Sequence, residues 1–367
     1  MRVLVGMSGG VDSSLAAALA KKAGHEVMGV TMQLTRKEQL NLPGFIDHGS
    51  FEEAHDAELV AQKIGIRFEC WDMSEVYKER VVMHFIREYA RGSTPNPCVA
   101  CNENVKFAAL VAKARSLEFD KICTGHYARV INTELHRAVD LQKDQSYFVA
   151  SMLPEVVKYC YFPLGEFANK KLVRAEAKKR GFATHNKKDS ADICFLEKKA
   201  MRAFLQASLG DNYRGNIVDP DGNILGEHAG FWNFTVGQRQ GLDLKTPAKD
   251  GRARFVISIN PKTHEVVVGP KEALLRREIL LEDIRIFDAS LLDNSARNNT
   301  RTVELRGQIR AHGEALLGVL ELQNNKAKFR TSGTTTAFEA VARGQSFVGY
   351  DAQSNLRVLL KATIQSS

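Results

Sequence analysis

The sequence predicts an α/β protein: an N-terminal parallel, doubly wound domain, then a small mixed or β central domain, then a C-terminal β-barrel. Two features carry that prediction. Up to about residue 128, short β-rich apolar runs alternate with amphipathic helical stretches, the order that builds a parallel sheet. After about residue 205, turn dipeptides and short alternating runs take over, and helical periodicity is scarce beyond about residue 278. A chain of 367 residues has room for two to three cores. The expected boundaries are 1–204, 205–275 and 276–367.

The runs 3–5, 27–34, 66–73 and 121–124 read as the strands of the parallel sheet. Between them, Ser50 and Glu53 form a capping box ahead of Ala57, Val60, Ala61 and Ile64 at helical spacing, and Gly65 ends that helix. Pro95 and Pro97 oppose helix, and the pattern resumes downstream with Val105, Ala108, Ala109 and Ala112 on one face. A third helix runs from Asn169, a good N-cap, to Gly181, with Lys178, Lys179 and Arg180 complementing the dipole of its last turn. Pro220-Asp221-Gly222 and Asp250-Gly251 mark turns, and the runs 255–259 and 265–268 flank Asn260-Pro261 as a hairpin. The runs 302–309, 318–322, 346–350 and 356–364 supply barrel strands.

Lys plus Arg number 51 against 43 Asp plus Glu, a net charge of +8 that suits a polyanionic partner. The charge is concentrated between Lys170 and Arg202, where eleven Lys or Arg face four Asp or Glu; such density favours RNA phosphate contacts. No apolar run reaches the length of a membrane span, and the N-terminus enters a strand without a signal-like segment, so a cytoplasmic protein without a membrane partner is expected. The six cysteines (Cys70, Cys98, Cys101, Cys123, Cys160, Cys194) are scattered, which in a reducing compartment points to reactive or metal-binding thiols over structural disulfides.

The most specific segment is Ser8-Gly9-Gly10-Val11-Asp12-Ser13-Ser14, after the first strand and before a helix expected to begin near Leu15. Two glycines bend the backbone tightly, and the N–H groups of the loop and first helical turn present a phosphate-sized cradle. The lysine of G-x-x-x-x-G-K-[ST] is missing, which argues against γ-phosphate transfer. Cys98 and Cys101 fall at a helix start, where the dipole lowers a thiol's pKa, and Cys194 follows Lys187 and Lys188, which would stabilise a thiolate or persulfide. A C-x-x-C pair also serves as metal ligand or redox pair, so that alternative stays open. Cys70, Cys123 and Cys160 have no special surroundings and read as core.

The loop resembles the pyrophosphate loop of the ATP-pyrophosphatase superfamily, which cleaves ATP between the α and β phosphates. The whole series resembles the bacterial and organellar tRNA-specific 2-thiouridylases. It comprises Gly6 to Ser14, Thr94-Pro95-Asn96-Pro97 with Cys101-Asn102, Thr124-Gly125-His126-Tyr127-Ala128, Lys143-Asp144-Gln145-Ser146-Tyr147, Lys188-Asp189-Ser190 with Ile193-Cys194-Phe195, and Phe234-Thr235-Val236-Gly237-Gln238-Arg239. The likeness spans residues 1 to about 270 and is looser beyond.

It implies ATP-dependent 2-thiolation of the wobble uridine of tRNA, with AMP and pyrophosphate released. Gly6, Met7, Ser8, Gly9, Gly10, Val11, Asp12 and Ser13 would cradle ATP, Met32 and Gly125 would touch its adenine or ribose side, and Asp12 would be linked to Mg²⁺. Asn96, Pro97 and Cys98 would face the target base. His126, Lys143, Asp144, Gln145, Arg310 and Gln345 would contact the tRNA. Cys194 would carry persulfide sulfur supplied by a relay protein or cysteine desulfurase system, and Cys101 would release it, leaving a Cys101–Cys194 disulfide. Cys98 stands where the family often has aspartate, so that carboxylate's base role does not carry over, and Cys98, Cys101 and Cys194 could instead ligate an iron–sulfur cluster. The rival readings are another ligase of the superfamily, such as an NAD or GMP synthetase or a tRNA lysidine synthetase, and a non-catalytic RNA-binding or sulfur-carrying module.

Overall fold

The computed structural model describes residues 1–49, 51–188, 193–244, 251–292, 300–323 and 325–366. The apolar runs near the N-terminus form β1 (Arg2–Gly6), β2 (Glu26–Gln33), β3 (Arg67–Asp72) and β4 (Lys121–Cys123), joined by β5 (Cys160–Tyr161). All pairings are parallel, in the order β3-β2-β1-β4-β5. The chain winds outward from β1 to one edge and then returns to place β4 on β1's other side. The crevice beyond the carboxyl ends of β1 and β4 is thus the switch point at which open α/β sheets bind ligands.

Helix α1 (Val11–Lys22) packs Leu15, Ala16, Ala17 and Ala20 on the sheet, where small side chains allow close approach. It begins at Val11 with Gly10 as N-cap, four residues before the expected start at Leu15, because Asp12 and the serines are at home in a first turn. Helix α2 (Phe51–Ile64) buries Ala57, Val60 and Ala61 beside it; the capping residue Ser50 lies outside the described residues. A helical run over 74–90 (α3) contains a π-helical turn at Lys78–Val82. A second run over 97–116 (α4) is π-helical across Asn102–Ala109.

That second π-helical stretch corrects the expected face of α4. Val105 is buried as predicted, but Ala108 and Ala112 are exposed and Leu110, Val111 and Ala114 are buried instead. Hydrogen bonds from i to i+5 rotate the apolar stripe away from the phase that 3.6 residues per turn would give. Helix α5 (Lys170–Lys179) is capped as expected, Asn169 Oδ1 accepting from the Leu172 N–H at 3.0 Å. Helix α6 (Met201–Leu209) returns Phe204 and Leu205 to the core that α3 and α4 share.

The central region is a four-stranded sheet of β6 (Gly215–Val218), β7 (Ile224–His228), β8 (Phe255–Asn260) and β9 (Glu265–Gly269), in the order β8-β9-β6-β7. Both expected hairpin turns with described residues are present; Asp250 lies outside them. The C-terminal region closes as a six-stranded antiparallel barrel. Its strands are β10 (Glu278–Ile286), β11 (Thr300–Gln308), β12 (Leu316–Gln323), β13 (Lys326–Thr331), β14 (Ser346–Asp351) and β15 (Val358–Ser366), ordered β10-β13-β12-β11-β14-β15. Closure leaves no free edge.

The barrel is fastened to the N-terminal region through a buried polar knot. Arg137 donates to Gln308 Oε1 at 2.6 Å, lies 3.8 Å over the Tyr350 ring and pairs with Asp144 at 3.6 Å. Ser146 donates to Asp144 at 2.7 Å and sits 3.0 Å from the Tyr350 hydroxyl, while the Tyr147 hydroxyl donates to the Ser346 carbonyl at 3.0 Å. Removing one member strands a buried charge. Arg137→Ala is expected to destabilise the protein by about 3–5 kcal/mol, because Asp144 would remain desolvated without its cation. Urea denaturation measures this, and a loss below about 1 kcal/mol would show that the knot is dispensable.

Candidate nucleotide and thiol site

Beyond β1 the chain turns through Met7, Ser8, Gly9 and Gly10 into α1. Met7 is buried, its N–H donating to the Val30 carbonyl at 2.8 Å and its own carbonyl accepting from Thr31 Oγ1 at 2.6 Å. Gly9 has a φ of +70°, a conformation suited to glycine. The Ser8 N–H donates to Ser13 Oγ at 3.1 Å, and Ser13 and Ser14 hydroxyls donate to the Gly10 carbonyl at 3.2 and 2.8 Å. The turn is therefore set before any ligand arrives. The first-turn N–H groups of α1, which helix geometry leaves without intrahelical acceptors, open toward the crevice.

Thr124, Gly125 and His126 follow β4 on the opposite lip. A Cβ on Gly125 would lie 2.7 Å from the Ser13 nitrogen and 2.8 Å from the Asp12 carbonyl carbon, so glycine is required for the two loops to meet. Asp12 accepts from the Tyr127 hydroxyl at 2.8 Å and from Lys170 Nζ at 2.5 Å. Lys170 thus brings a cation to the loop from the first residue of α5, a role the sequence did not suggest. The donor set of backbone N–H groups, Ser8, Ser13 and Lys170 fits nucleotide phosphates. The Asp12 carboxylate would suit a Mg²⁺ ion, which would neutralise phosphate charge there. Met32, at the end of β2, packs between two of the apolar clusters.

Cys101 and Cys194 belong to a different apolar core from the one that holds Met7 and Val11 of the loop. Asn96 caps α4, its side-chain oxygen accepting from the Cys98 and Val99 N–H groups at 3.0 and 3.3 Å, with Pro97 in the first turn. Cys98 is exposed near the helix start, whereas Cys101 is buried a turn further on. Cys194 borders the same aromatic core, its sulfur 2.9 Å from the hydroxyl of Tyr77, which is fully buried. All six cysteines are free thiols.

Here the expected electrostatics are corrected. Desolvation by the surrounding protein raises the pKa of all three sulfurs, that of Cys98 at the surface, of half-buried Cys194 and of buried Cys101, and carries Cys101 to about 12. The dipole of α4 does not prevail, because Cys101 lies beyond the first turn, where that field has faded, and apolar walls penalise its charged form. Nor do the adjacent lysines: Lys187 pairs with Asp56 at 2.8 Å. The groups that favour the Cys194 thiolate are the Tyr77 hydroxyl and Lys106, and Lys106 also opposes the rise at Cys98 and Cys101. Neither Tyr77 nor Lys106 was singled out from the sequence.

Lys106 also lies within electrostatic range of His126. Burial, reinforced by Lys106, pushes His126 well below its ordinary value, so the ring is neutral at pH 7. Its Nδ1 is bonded to Thr124 Oγ1 at 2.7 Å, and Phe107 and Phe162 flank the ring. Asn102, beside Cys101, is buried with its side-chain oxygen lacking a hydrogen-bond partner among the described residues.

Of the expected tRNA contacts, Lys143 is exposed but Asp144 is turned inward, accepting from the Ala138 and Ser146 N–H groups and the Ser146 hydroxyl. Its carboxylate serves the interdomain knot. Gln145 Oε1 accepts from the Tyr127 N–H at 2.9 Å, which steadies the loop that holds Asp12. Arg310 donates to the Glu339 and Ala340 carbonyls at 2.6 and 2.8 Å. Gln345 donates to the Thr94 carbonyl, and the Thr94 N–H donates to the Arg343 carbonyl at 2.9 Å, so the barrel grips the segment leading into Asn96. Among the described residues no three His, Cys, Asp or Glu side chains are grouped to hold one metal ion. Nor is any helix among them long and apolar enough to cross a membrane.

A preset glycine turn at the switch point of a parallel sheet, with two thiols on the neighbouring aromatic core, defines an α/β fold of the nucleotide-binding class. Residues 1–198 match the family described as the tRNA methyl transferase HUP domain, and residues 202–270 the tRNA methyl transferase PRC-barrel domain. The chain is 44% identical to the tRNA-specific 2-thiouridylase MnmA of Paenarthrobacter aurescens over 386 residues, an alignment covering 100% of this chain and 98% of that protein. It is also 44% identical to the tRNA-specific 2-thiouridylase MnmA of Kocuria rhizophila over 380 residues, with the same coverage of 100% and 98%. The chain belongs to the tRNA-specific 2-thiouridylase family. Among solved structures, the NMN synthetase of Francisella tularensis aligns at a TM-score of 0.33 and 15% identity, over 56% of this chain and 74% of that one.

The Tyr77 hydroxyl favours the charged form of Cys194, so its loss disfavours the thiolate. Tyr77→Phe is expected to shift the pH profile of Cys194 alkylation upward and slow the reaction near pH 8, read by peptide mapping after timed iodoacetamide exposure. A wild-type profile in a stably folded variant would show that the hydrogen bond does not tune the thiol.

Proposed function

We propose that this chain is a tRNA-uridine 2-sulfurtransferase, which uses ATP to activate a uridine and replaces its 2-oxygen with sulfur carried by Cys194. The observation that bears most weight is that one domain carries two chemistries: a loop suited to the phosphates of ATP, and two thiols, buried Cys101 and half-buried Cys194, packed on one aromatic core. Family membership supports tRNA as the substrate.

In the first half-reaction the uridine C2 oxygen attacks the α-phosphate of ATP, and pyrophosphate leaves. Loop N–H groups, Ser8, Ser13 and Lys170 would hold the phosphates, and Mg²⁺ on Asp12 would neutralise charge on the departing pyrophosphate. The C2 oxygen, a poor leaving group alone, then departs as part of AMP. Neutral His126 and the buried oxygen of Asn102 are suited to hydrogen bonding, the first as an uncharged partner and the second as an acceptor for a substrate donor.

In the second half-reaction the terminal sulfur of a Cys194 persulfide attacks C2 and AMP leaves. Cys101 attacks the inner sulfur of Cys194, which releases the transferred atom to the base as the sulfide equivalent and leaves a Cys101–Cys194 disulfide. A reductant then restores the thiols, and a relay protein or cysteine desulfurase system reloads Cys194. Burial suits the persulfide half because it excludes water and competing oxidants. Persulfide formation on Cys194 also supplies a more acidic sulfur than the thiol that burial holds protonated. Cys98 needs no place in this sequence, and its raised pKa makes it a poor substitute for a carboxylate base.

The test follows labelled sulfur from a desulfurase onto each variant. Cys194→Ser is expected to carry none, Cys101→Ser to load sulfur but fail to pass it to tRNA, and Cys98→Ser to retain most activity. Equal, complete loss in all three would contradict persulfide transfer and restore the cluster alternative, which bound iron in anaerobically prepared protein would identify.

A further inference from the structure

A cavity of about 580 Å³ lies between the N-terminal region and the barrel, bordered by Ser93, Pro95 and Asn96. One wall is α3 with its C-cap, which present Arg80, Arg87 and Arg91; the other is the C-terminal region, which presents Arg285, Arg343 and Lys361. Four carboxylates, Glu88, Glu103, Glu282 and Asp283, also line it. Two of these are committed: Glu88 pairs with Arg91 at 2.9 Å, and Glu103 pairs with Arg285. Arg80, Arg87, Arg343 and Lys361 make no ion pair among the described residues.

Lys361 is the informative member. It projects from β15, is 5% exposed, and makes one hydrogen bond, to Thr363 Oγ1 at 3.3 Å. An ammonium group has three donors and is seldom buried without an anionic partner. Burial lowers its pKa, with Glu103 and Asp283 opposing that shift and Arg285 adding to it, so the nearby carboxylates do not compensate fully. Asp283 itself stands at a φ of +52°, within a register break between β10 and β15. Bulges of this kind re-aim side chains at sites.

We propose that this cavity is a phosphate site, and that its occupant is a backbone phosphodiester of the RNA whose uridine is modified. Lys361 forms the floor, and Arg87 and Arg343 close over the group from opposite walls. The placement follows from Pro95 and Asn96, which line the cavity and also lead into Cys98, so a strand presenting its base to the thiols runs its backbone past this opening. The barrel's grip on Thr94 through Gln345 and Arg343 holds the two features in register. This assignment rests on the reading of tRNA as substrate. It adds a contact between the two halves of the protein that RNA binding would tighten.

The experiment measures tRNA affinity by anisotropy across a series of salt concentrations for the wild type, Lys361→Met and Arg343→Ala, together with melting curves of each protein with and without inorganic phosphate. Met keeps the length of Lys361 without its charge, and Arg343 is exposed, so its loss does not threaten the fold. Each variant is expected to flatten the slope of log affinity against log salt by about one, the signature of a lost phosphate contact. Wild-type tRNA binding with unchanged slopes and affinities in both variants would overturn the site and leave the proposed function standing. No tRNA binding by the wild type, with phosphate raising its melting temperature but not that of Lys361→Met, would overturn RNA as the source. Absence of both effects would overturn the site altogether.

Discussion

The aromatic packing around Phe195 is the constraint on which the thiol chemistry depends. Phe195 meets Phe85 edge-on at 5.5 Å and Tyr77 at 6.2 Å, and lies against Phe204 at 5.9 Å and Phe45 at 6.3 Å. These rings come from four separate stretches of chain, and only their collapse onto one core brings Cys194 to the Tyr77 hydroxyl and within electrostatic reach of Cys101. The same burial that assembles the pair suppresses it, by holding both thiols protonated. Against that suppression, the Tyr77 hydroxyl and the nearby Lys106 favour the charged form of Cys194. Such an arrangement protects a reactive sulfur from solvent while keeping it beside its partner.

The nucleotide half obeys a different constraint. Its loops are aligned by backbone approach at Gly125 and by hydrogen bonds within the turn, so the phosphate cradle is rigid where the thiol pocket is enclosed. Asp12 links this loop to Tyr127 on one side and to α5 on the other, and Gln145 buttresses Tyr127 in turn. The barrel completes the frame. Through Gln345 it holds Thr94, and through the Arg137 knot it holds the loop that carries Asp144 and Gln145, so the C-terminal region positions residues of the site without supplying the reacting groups.

Much of this was legible in the sequence because it is local. The strand–glycine loop–helix order at residues 2–22, the Asn169 cap and the alternating barrel runs each follow from short-range rules, and the structure reproduces them. The strands Glu278–Ile286 and Lys326–Thr331 were not identified, since charged residues interrupt their apolar alternation. The face of α4 was misjudged because π-helical phase leaves no mark in composition. Thiol acidity was misjudged for a physical reason of the same kind: proximity to a helix start is visible in sequence, whereas the desolvation that outweighs it arises from residues a hundred positions away. Tyr77 and Asp144 show both sides of that limit. One is an unremarked core residue with a polar task, and the other a motif residue whose carboxylate faces inward.

The account's central claim is that one chain couples ATP cleavage to sulfur transfer onto uridine. The most direct measurement incubates the purified protein with unmodified tRNA, ATP and a persulfide donor, then quantifies thiolated nucleosides by mass spectrometry alongside AMP and ADP. The account predicts 2-thiouridine and AMP in equal amounts, both dependent on tRNA and both absent without ATP. Thiolated uridine formed without ATP, or nucleotide released as ADP, would contradict it.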